Sequence, residues 1–166
     1  MPSPAPLSIP LASEEDTCHL ASILAHNITL GNFSVLLLKG NLGAGKTTLV
    51  RHLVKALPNG EKAEVSSPSF TLMNVYETTP PIQHFDLYRL DPFIYDENLD
   101  EALDDVDNVV FIEWAERIPS HLLPQDYLEC TLIIEDSARK AVFKAEGIES
   151  PRALKALLQE YSSQNV

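Results

Sequence analysis

One segment, SVLLLKGNLGAGKTT at residues 34–48, constrains the fold of this chain more than any other. Its apolar run at residues 35–38 is typical of a buried strand. Residues 40–47 then fit the pattern G-x-x-x-x-G-K-[ST]. A helical repeat of apolar side chains follows, at Leu49, Val50, Leu53, Val54 and Leu57. Strand, phosphate-binding loop and helix therefore occur in the order that a P-loop requires.

The residue types in this loop suit a nucleoside triphosphate. Glycines let the backbone fold closely around phosphates with its N–H groups pointing inward, and the helix that follows adds the positive end of its dipole. Lys46 is expected to reach the β and γ phosphates, and the Thr47 hydroxyl to bind Mg²⁺. The other loop residues expected at the nucleotide are Asn41, Leu42, Gly43, Ala44, Gly45 and Thr48.

The length and net charge of the chain limit the number of domains and the classes of binding partner. A chain of 166 residues predicts one domain, residues 1–166, with the proline-rich residues 1–10 extended or loosely ordered and 7–11 available as an edge strand. The net charge of −12 disfavours direct nucleic-acid binding, which normally uses a basic face. Any contact with RNA should therefore pass through a partner, unless the few basic residues gather on one face. Without a membrane-length apolar run or a secretory signal, a soluble cytoplasmic protein is expected.

The remaining patterns predict an α/β fold: a P-loop NTPase-like sheet, mixed parallel and antiparallel, flanked by helices, with a C-terminal β-hairpin and helix. Ser13 and Asp16 resemble a capping box and predict a first helix of about four turns. Residues 71–77 and 82–88 predict an antiparallel hairpin, 109–112 a buried strand, and 127–135 with 140–145 a second hairpin. The final helix should begin near Ser150, with Leu154, Leu157, Leu158 and Tyr161 on one face.

Two weaker expectations concern the acidic segment and the cysteines. Residues 91–107 contain eight acids and no Lys or Arg, which favours a solvated helix with one buried stripe. That stripe would comprise Tyr95, Leu99, Leu103 and Val106. The widely separated Cys18 and Cys130 suggest neither a zinc site nor a disulfide, so both are expected to be buried thiols.

Two acids at strand ends could serve the phosphates. A P-loop enzyme needs a carboxylate beside its metal and a group that orients the attacking water. Glu113 follows the more apolar strand, which suits a central position beside the loop, and Asp86 ends the hairpin's second strand. Either could instead be an ordinary solvated acid at a strand end, and the sequence does not decide which one contacts the metal.

The hydroxyl-rich segment EVSSPSFT supplies a further group, Ser66, Ser67, Ser69 and Thr71. Loop hydroxyls sense the γ-phosphate in P-loop switches, but ordinary turn chemistry explains such a run equally well. His84 is expected to be a packed or edge residue, His52 to lie on the polar helix face, and Trp114 to be a packing anchor.

Four motifs in this order resemble the TsaE family of small bacterial P-loop ATPases. They are GNLGAGKTT at 40–48, SSPSFTL at 66–72, HFDLYRL at 84–90 and IEWAERI at 112–118. The resemblance implies a weak Mg²⁺-dependent ATPase that acts on the TsaB–TsaD complex in tRNA threonylcarbamoyladenosine modification and meets tRNA only through that complex. ATP hydrolysis would reset the complex between turnovers.

The resemblance also implies roles for individual residues. Lys46 would bind phosphate, Thr47 and Glu113 would hold Mg²⁺, and Asp86 would support hydrolysis as a metal helper or water-orienting base. Glu14 and Thr17 match a region that borders the base in relatives, and Arg139 matches an arginine approaching the nucleotide. Ser69 replaces a threonine common in the family, and Ala115 a proline.

Two other functions use the same loop. A small-molecule kinase usually closes an arginine-bearing lid over the phosphates. Here the five arginines are scattered and the segment that could form a lid is acidic. A nucleotide-gated binding module would need no hydrolysis at all.

Overall fold

The structure, a computed structural model, describes residues 4–91 and 96–163. In chain order its elements are β1 (Leu7–Leu11), α1 (Glu14–Thr29), β2 (Val35–Lys39), α2 (Lys46–Ala56), β3 (Met73–Tyr76), β4 (Ile82–Asp86), α3 (Glu97–Asp104), β5 (Val109–Glu113), β6 (Tyr127–Glu135), β7 (Ala138–Glu146) and α4 (Ser150–Ser163). Among these described residues, no helix is both long and apolar enough to cross a bilayer.

The strands form one mixed sheet in the order β1-β7-β6-β2-β5-β4-β3. Its centre is parallel, since β2 pairs with β6 and β5, and β5 pairs with β4. The flanks are antiparallel, with β1 against β7, β7 against β6, and β3 against β4. The mixed sheet, both hairpins and the edge strand at 7–11 agree with the sequence-based predictions.

Alternation along the central strands separates two apolar layers. Leu36 and Leu38 of β2 face a core shared with α1, α2 and α4, whereas Val35 and Leu37 face a second core that includes Leu99 of α3. Buried parallel strands are apolar on both faces because helices cover both sides. This explains the continuous apolar runs of β2 and β5, and it places their polar ends at one edge of the sheet.

The helix starts follow local capping chemistry. At α1 the Ser13 hydroxyl accepts a hydrogen bond from the Asp16 N–H at 3.2 Å, and the Asp16 carboxylate accepts one from the Ser13 N–H at 2.9 Å. This is the predicted capping box. By contrast, the N-cap residue of α2 is Gly45, which has no side chain to cap the helix. Its first N–H groups are therefore left for another acceptor.

Two packing predictions were wrong, those for Cys18 and for Val106. Cys18 is exposed, and only Cys130 is a buried thiol, whose pKa is raised by burial. Val106 is 93% exposed because α3 ends at Asp104, before the predicted stripe is complete. Leu158 is half exposed at the border of the α4 face that buries Leu154 and Leu157. Tyr95 lies outside the described residues.

The start of α4 depends on one carboxylate. Asp126, just before β6, accepts hydrogen bonds from the Ile148 and Glu149 N–H groups at 2.6 Å, from the Ser150 N–H at 3.0 Å and from the Ser150 hydroxyl. Burial alone would raise the pKa of Asp126, but these hydrogen bonds outweigh it and lower the pKa below 3.8. Asp126 therefore ties the last helix to the sheet.

We expect Asp126→Asn to lower the free energy of unfolding by about 2 kcal/mol at pH 7, because the amide cannot accept all these bonds. A lowered folded-state pKa stabilises the fold above the ordinary value of 3.8, and this contribution disappears as the pH falls through the lowered pKa. Urea unfolding should therefore show a difference between variant and wild type that shrinks at acid pH. Asp136→Asn, in the exposed β6–β7 turn, is the control.

Candidate functional site

The phosphate-binding loop wraps around the amino group of Lys46. Its Nζ donates hydrogen bonds to the carbonyls of Gly40 at 2.6 Å and Asn41 at 3.0 Å, and lies 4.2 Å from the centre of the Trp114 ring. Trp114 reaches this position from the end of β5 in a left-handed conformation with φ of +57°. The only tryptophan in the chain is thus part of the site as well as a packing residue.

The start of α2 and the end of β5 meet through Thr47 and Glu113. The Thr47 hydroxyl lies 3.0 and 3.1 Å from the two carboxylate oxygens of Glu113. Register explains the contact, since Leu38 of β2 is paired with Glu113 of β5 and the loop follows β2 directly. Glu113 is 2% exposed. Of the two candidate acids, it is the one that directly contacts the loop's threonine.

Asp86 occupies the neighbouring strand end. It is paired with Glu113 across the parallel strands β4 and β5, and it too is buried. Its carboxylate accepts hydrogen bonds from the Tyr88 N–H at 2.8 Å and from the Ser67 hydroxyl. The carboxylate therefore joins the hydroxyl-rich loop to the sheet edge where the phosphate-binding loop begins.

A cavity of about 620 Å³ opens over these groups, a size typical of small-molecule sites. Most of the predicted site residues line it: Glu14, Thr17, Leu42, Gly43, Ala44, Gly45, Lys46, Thr47, Thr48, Ser69, Asp86, Glu113 and Arg139. Arg139 donates to the Gly43 carbonyl at 3.4 Å, across the loop from α2. Glu14 lies 3.0 Å from His52, so these two side chains are paired at the rim.

Three predicted residues do not line the cavity. Asn41 contributes its backbone carbonyl to Lys46, and the Thr71 side chain is exposed. Ser66 points its carbonyl at Tyr76 and Asn74 instead. The next residue in the loop, Ser67, is the one whose hydroxyl donates a hydrogen bond to Asp86.

One site contact was not predicted from the sequence, that between His84 and Glu113. His84 is fully buried, and its Nε2 lies 2.8 Å from Glu113 Oε1. The available signal was its position two residues before Asp86, because residues i and i+2 of a strand share one face. Tyr88, Arg89, Leu11 and Leu132 also line the cavity and were not predicted.

The electrostatics of the site suit an anion accompanied by a hard cation. Burial lowers the pKa of Lys46, while the carboxylates Glu113, Glu116 and Asp86 act in the opposite direction. Among the described residues, no group of three or more His, Cys, Asp or Glu side chains is arranged to hold a metal by itself. Mg²⁺ is typically bound through one or two carboxylates together with the phosphates of a substrate. Thr47 and Glu113 supply suitable oxygen donors.

Comparison with known proteins assigns the chain to a family. The family model described as "Threonylcarbamoyl adenosine biosynthesis protein TsaE" matches residues 11–142. The chain belongs to the TsaE family. The matched range includes all four motifs that carried the resemblance, which is thereby confirmed.

Relatives and a solved structure agree with this assignment. The tRNA threonylcarbamoyladenosine biosynthesis protein TsaE of Nostoc sp. is 42% identical over 135 residues, 78% of this chain and 80% of the relative. The protein of the same name from Aquifex aeolicus is 40% identical over 131 residues, 78% and 90% of the two chains. The crystal structure of Bacillus subtilis YdiB matches with a TM-score of 0.75 and 28% identity over 96% of this chain and 98% of that one. The P-loop α/β fold is confirmed by that match.

Gly40 lies where the loop of this TsaE-family protein comes close to the backbone of β6. Gly40 has φ of +139°, and a Cβ added there would lie 2.5 Å from the Leu132 carbonyl oxygen. Gly31 also has a positive φ, +72°, but a Cβ there would meet nothing within 4 Å. Gly31→Ala should cost about 1 kcal/mol of unfolding free energy, from backbone strain alone. Gly40→Ala should cost about 1–3 kcal/mol more, because backbone must move. Equal losses in urea unfolding would contradict the close approach of β6 to the loop.

Proposed function

We propose that this protein is a Mg²⁺-dependent ATPase of tRNA threonylcarbamoyladenosine biosynthesis that acts through a TsaB–TsaD complex. The observation that carries the proposal is the convergence of Lys46, Thr47, Glu113 and Asp86 at one edge of the sheet. Three adjacent parallel strands, β2, β5 and β4, end at that edge. Ligands of open α/β sheets bind at the carboxyl ends of such strands.

The loop would bind the triphosphate. The uncapped N–H groups of α2 and the backbone around Gly43 can donate to phosphate oxygens. Lys46, which now shares its protons between two loop carbonyls, has an amino group that phosphate oxygens can attract more strongly. Glu14 and Thr17 lie at the rim of the same cavity. They are suited to contact the base or sugar, as the family resemblance implies.

Thr47 and Glu113 would hold the metal together. When bound, Mg²⁺ would neutralise the negative charge that develops on the phosphoryl group. Glu113 is positioned for this by its buried contacts to Thr47 and His84. Asp86 lies one strand further along and is suited to orient the attacking water or to support the metal indirectly.

The loop at 66–71 would report the state of the nucleotide to the partner complex. The Ser67 hydroxyl donates to Asp86, and Ser67 and Ser69 both line the cavity, so the middle of this loop contacts the site. Phe70, between Ser69 and Thr71, is 85% exposed and available to a partner. With a net charge of −12, the protein has no overall attraction for tRNA. The tRNA would therefore be held by the partner complex.

Hydrolysis is tested by single substitutions. Lys46→Ala and Glu113→Gln should each reduce ATP hydrolysis by about 100-fold or more. Lys46→Ala removes a positive charge beside the phosphoryl group, and Glu113→Gln removes the carboxylate that would hold Mg²⁺ there. Asp86→Asn should reduce turnover while leaving ATP affinity within about threefold, as expected of a group acting on the water. Glu101→Gln, on the exposed face of α3, is the matched control. Wild-type hydrolysis by Lys46→Ala would exclude this site as the ATPase centre.

Partner coupling needs a separate experiment. A pull-down of TsaB and TsaD with the purified protein should depend on whether ATP or ADP is present, and modification in the reconstituted system should stop with Lys46→Ala or Glu113→Gln. If a non-hydrolysable ATP analogue supported many rounds of modification, hydrolysis would not be the function. The protein would then be a nucleotide-gated binding module.

A further inference from the structure

A chain of hydrogen bonds runs from the start of α2 to the hydroxyl-rich loop. It passes through His84 and through Tyr76, to which the proposed ATPase gives no role. Thr47 contacts Glu113, and Glu113 Oε1 lies 2.8 Å from His84 Nε2. On the other side of the imidazole, Nδ1 lies 3.2 Å from the Tyr76 hydroxyl, which donates to the Ser66 carbonyl at 3.3 Å. Four contacts therefore connect Thr47 to the backbone of the loop.

The chain is internal to the sheet. His84 is 0% exposed, Glu113 2% and Tyr76 6%. Buried polar groups that lose a partner cannot turn to water, so their bonds are costly to break. Each contact also joins a different element, from α2 to β5, to β4, to β3 and then to the loop.

The imidazole of His84 lies between two oxygen groups, with one ring nitrogen facing each. Nε2 faces the Glu113 carboxylate, and Nδ1 faces the Tyr76 hydroxyl. The same hydroxyl donates to the Ser66 carbonyl, so the ring and the loop meet at one oxygen atom. Burial raises the pKa of Tyr76, so the hydroxyl keeps its proton at neutral pH.

Side chains of two strands, β3 and β4, hold the loop by hydrogen bonds. Ser66 is held by Tyr76 and by the Asn74 amide, which donates to the same carbonyl at 3.1 Å. The next residue, Ser67, donates to Asp86. A shift of Glu113 would move the His84 ring and, through it, the Tyr76 hydroxyl that holds the Ser66 carbonyl. The position of the Glu113 carboxylate is therefore coupled to the loop at residues 66–67 through His84 and Tyr76.

We propose that His84 and Tyr76 are positioning residues that orient Glu113 and couple it to residues 66–67. The proposal rests on the ATPase function above, because Glu113 is its acid. Groups that hold a ligating carboxylate in place typically change metal affinity or activity by about 10–100-fold when they are removed. The same pair would also let the loop respond to any change at Glu113.

Two near-isosteric substitutions cut this chain at different points. Tyr76→Phe removes the hydroxyl and keeps the ring. His84→Gln can still donate to Glu113 but lacks the ring nitrogen that faces Tyr76. Tyr127→Phe, at the start of β6 and outside the hydrogen-bonded chain, is the control.

The first measurement is amide hydrogen exchange of residues 66–72 in the nucleotide-free protein. Both Tyr76→Phe and His84→Gln should accelerate exchange there by about three- to tenfold, the effect expected from losing one net hydrogen bond. The decisive variant is His84→Gln, because the hydrogen-bonding partners of the His84 ring are Glu113 and Tyr76, and Tyr76 in turn holds the loop. Wild-type loop exchange in His84→Gln, with Tyr76→Phe accelerated, would overturn the coupling.

The second measurement separates positioning from general destabilisation. Tyr76→Phe should lower kcat for ATP hydrolysis by about tenfold and leave KM within about twofold, because the phosphate-binding loop is not altered. A matching loss in KM, or a change equal to that of Tyr127→Phe, would contradict the positioning role. If the wild-type protein hydrolysed no ATP, the ATPase proposal would fail, while the exchange experiment would still decide whether the coupling exists.

Discussion

The contact between Thr47 and Glu113 is the constraint on which the rest of the site depends. It exists because β2 and β5 are parallel neighbours whose ends coincide, so that the first turn of α2 lies over the last residue of β5. A parallel pairing requires a long crossover, and the chain between these strands contains α2, the β3–β4 hairpin and α3. These elements therefore all lie, in the chain, between two strands that end at the same edge of the sheet.

This arrangement buries two carboxylates, and removing a charged group from water costs free energy. Glu113 and Asp86 are both buried beside Lys46, and carboxylates out of water need partners. The protein supplies them from Thr47, His84, Ser67 and the Tyr88 backbone. A site built in this way keeps its acids in place before any ligand arrives, which favours binding of a compact, highly charged group such as a triphosphate with its metal.

Much of the fold followed from local patterns. The P-loop, the α1 capping box, both hairpins and the apolar strand at 109–113 have short-range signatures, and the strand-end acids Glu113 and Asp86 could be named from them. The parallel pairing of β6 with β2 could not, because the alternating pattern of a strand does not identify its distant partner. His84 was assigned to packing for the same reason, since its role depends on Glu113, 29 residues away. The stripe through Val106 failed because a helical period does not show where a helix ends.

The most direct test of the account is calorimetric titration of ATP into the protein with Mg²⁺ and then with excess chelator. If Thr47 and Glu113 hold the metal beside the phosphates, Mg²⁺ should tighten ATP binding by about tenfold or more, equivalent to about 1.4 kcal/mol. Thr47→Ala should remove most of that gain and leave the affinity measured with chelator nearly unchanged. Equal affinity with and without Mg²⁺ in the wild-type protein would contradict the assignment of Thr47 and Glu113 as the metal site.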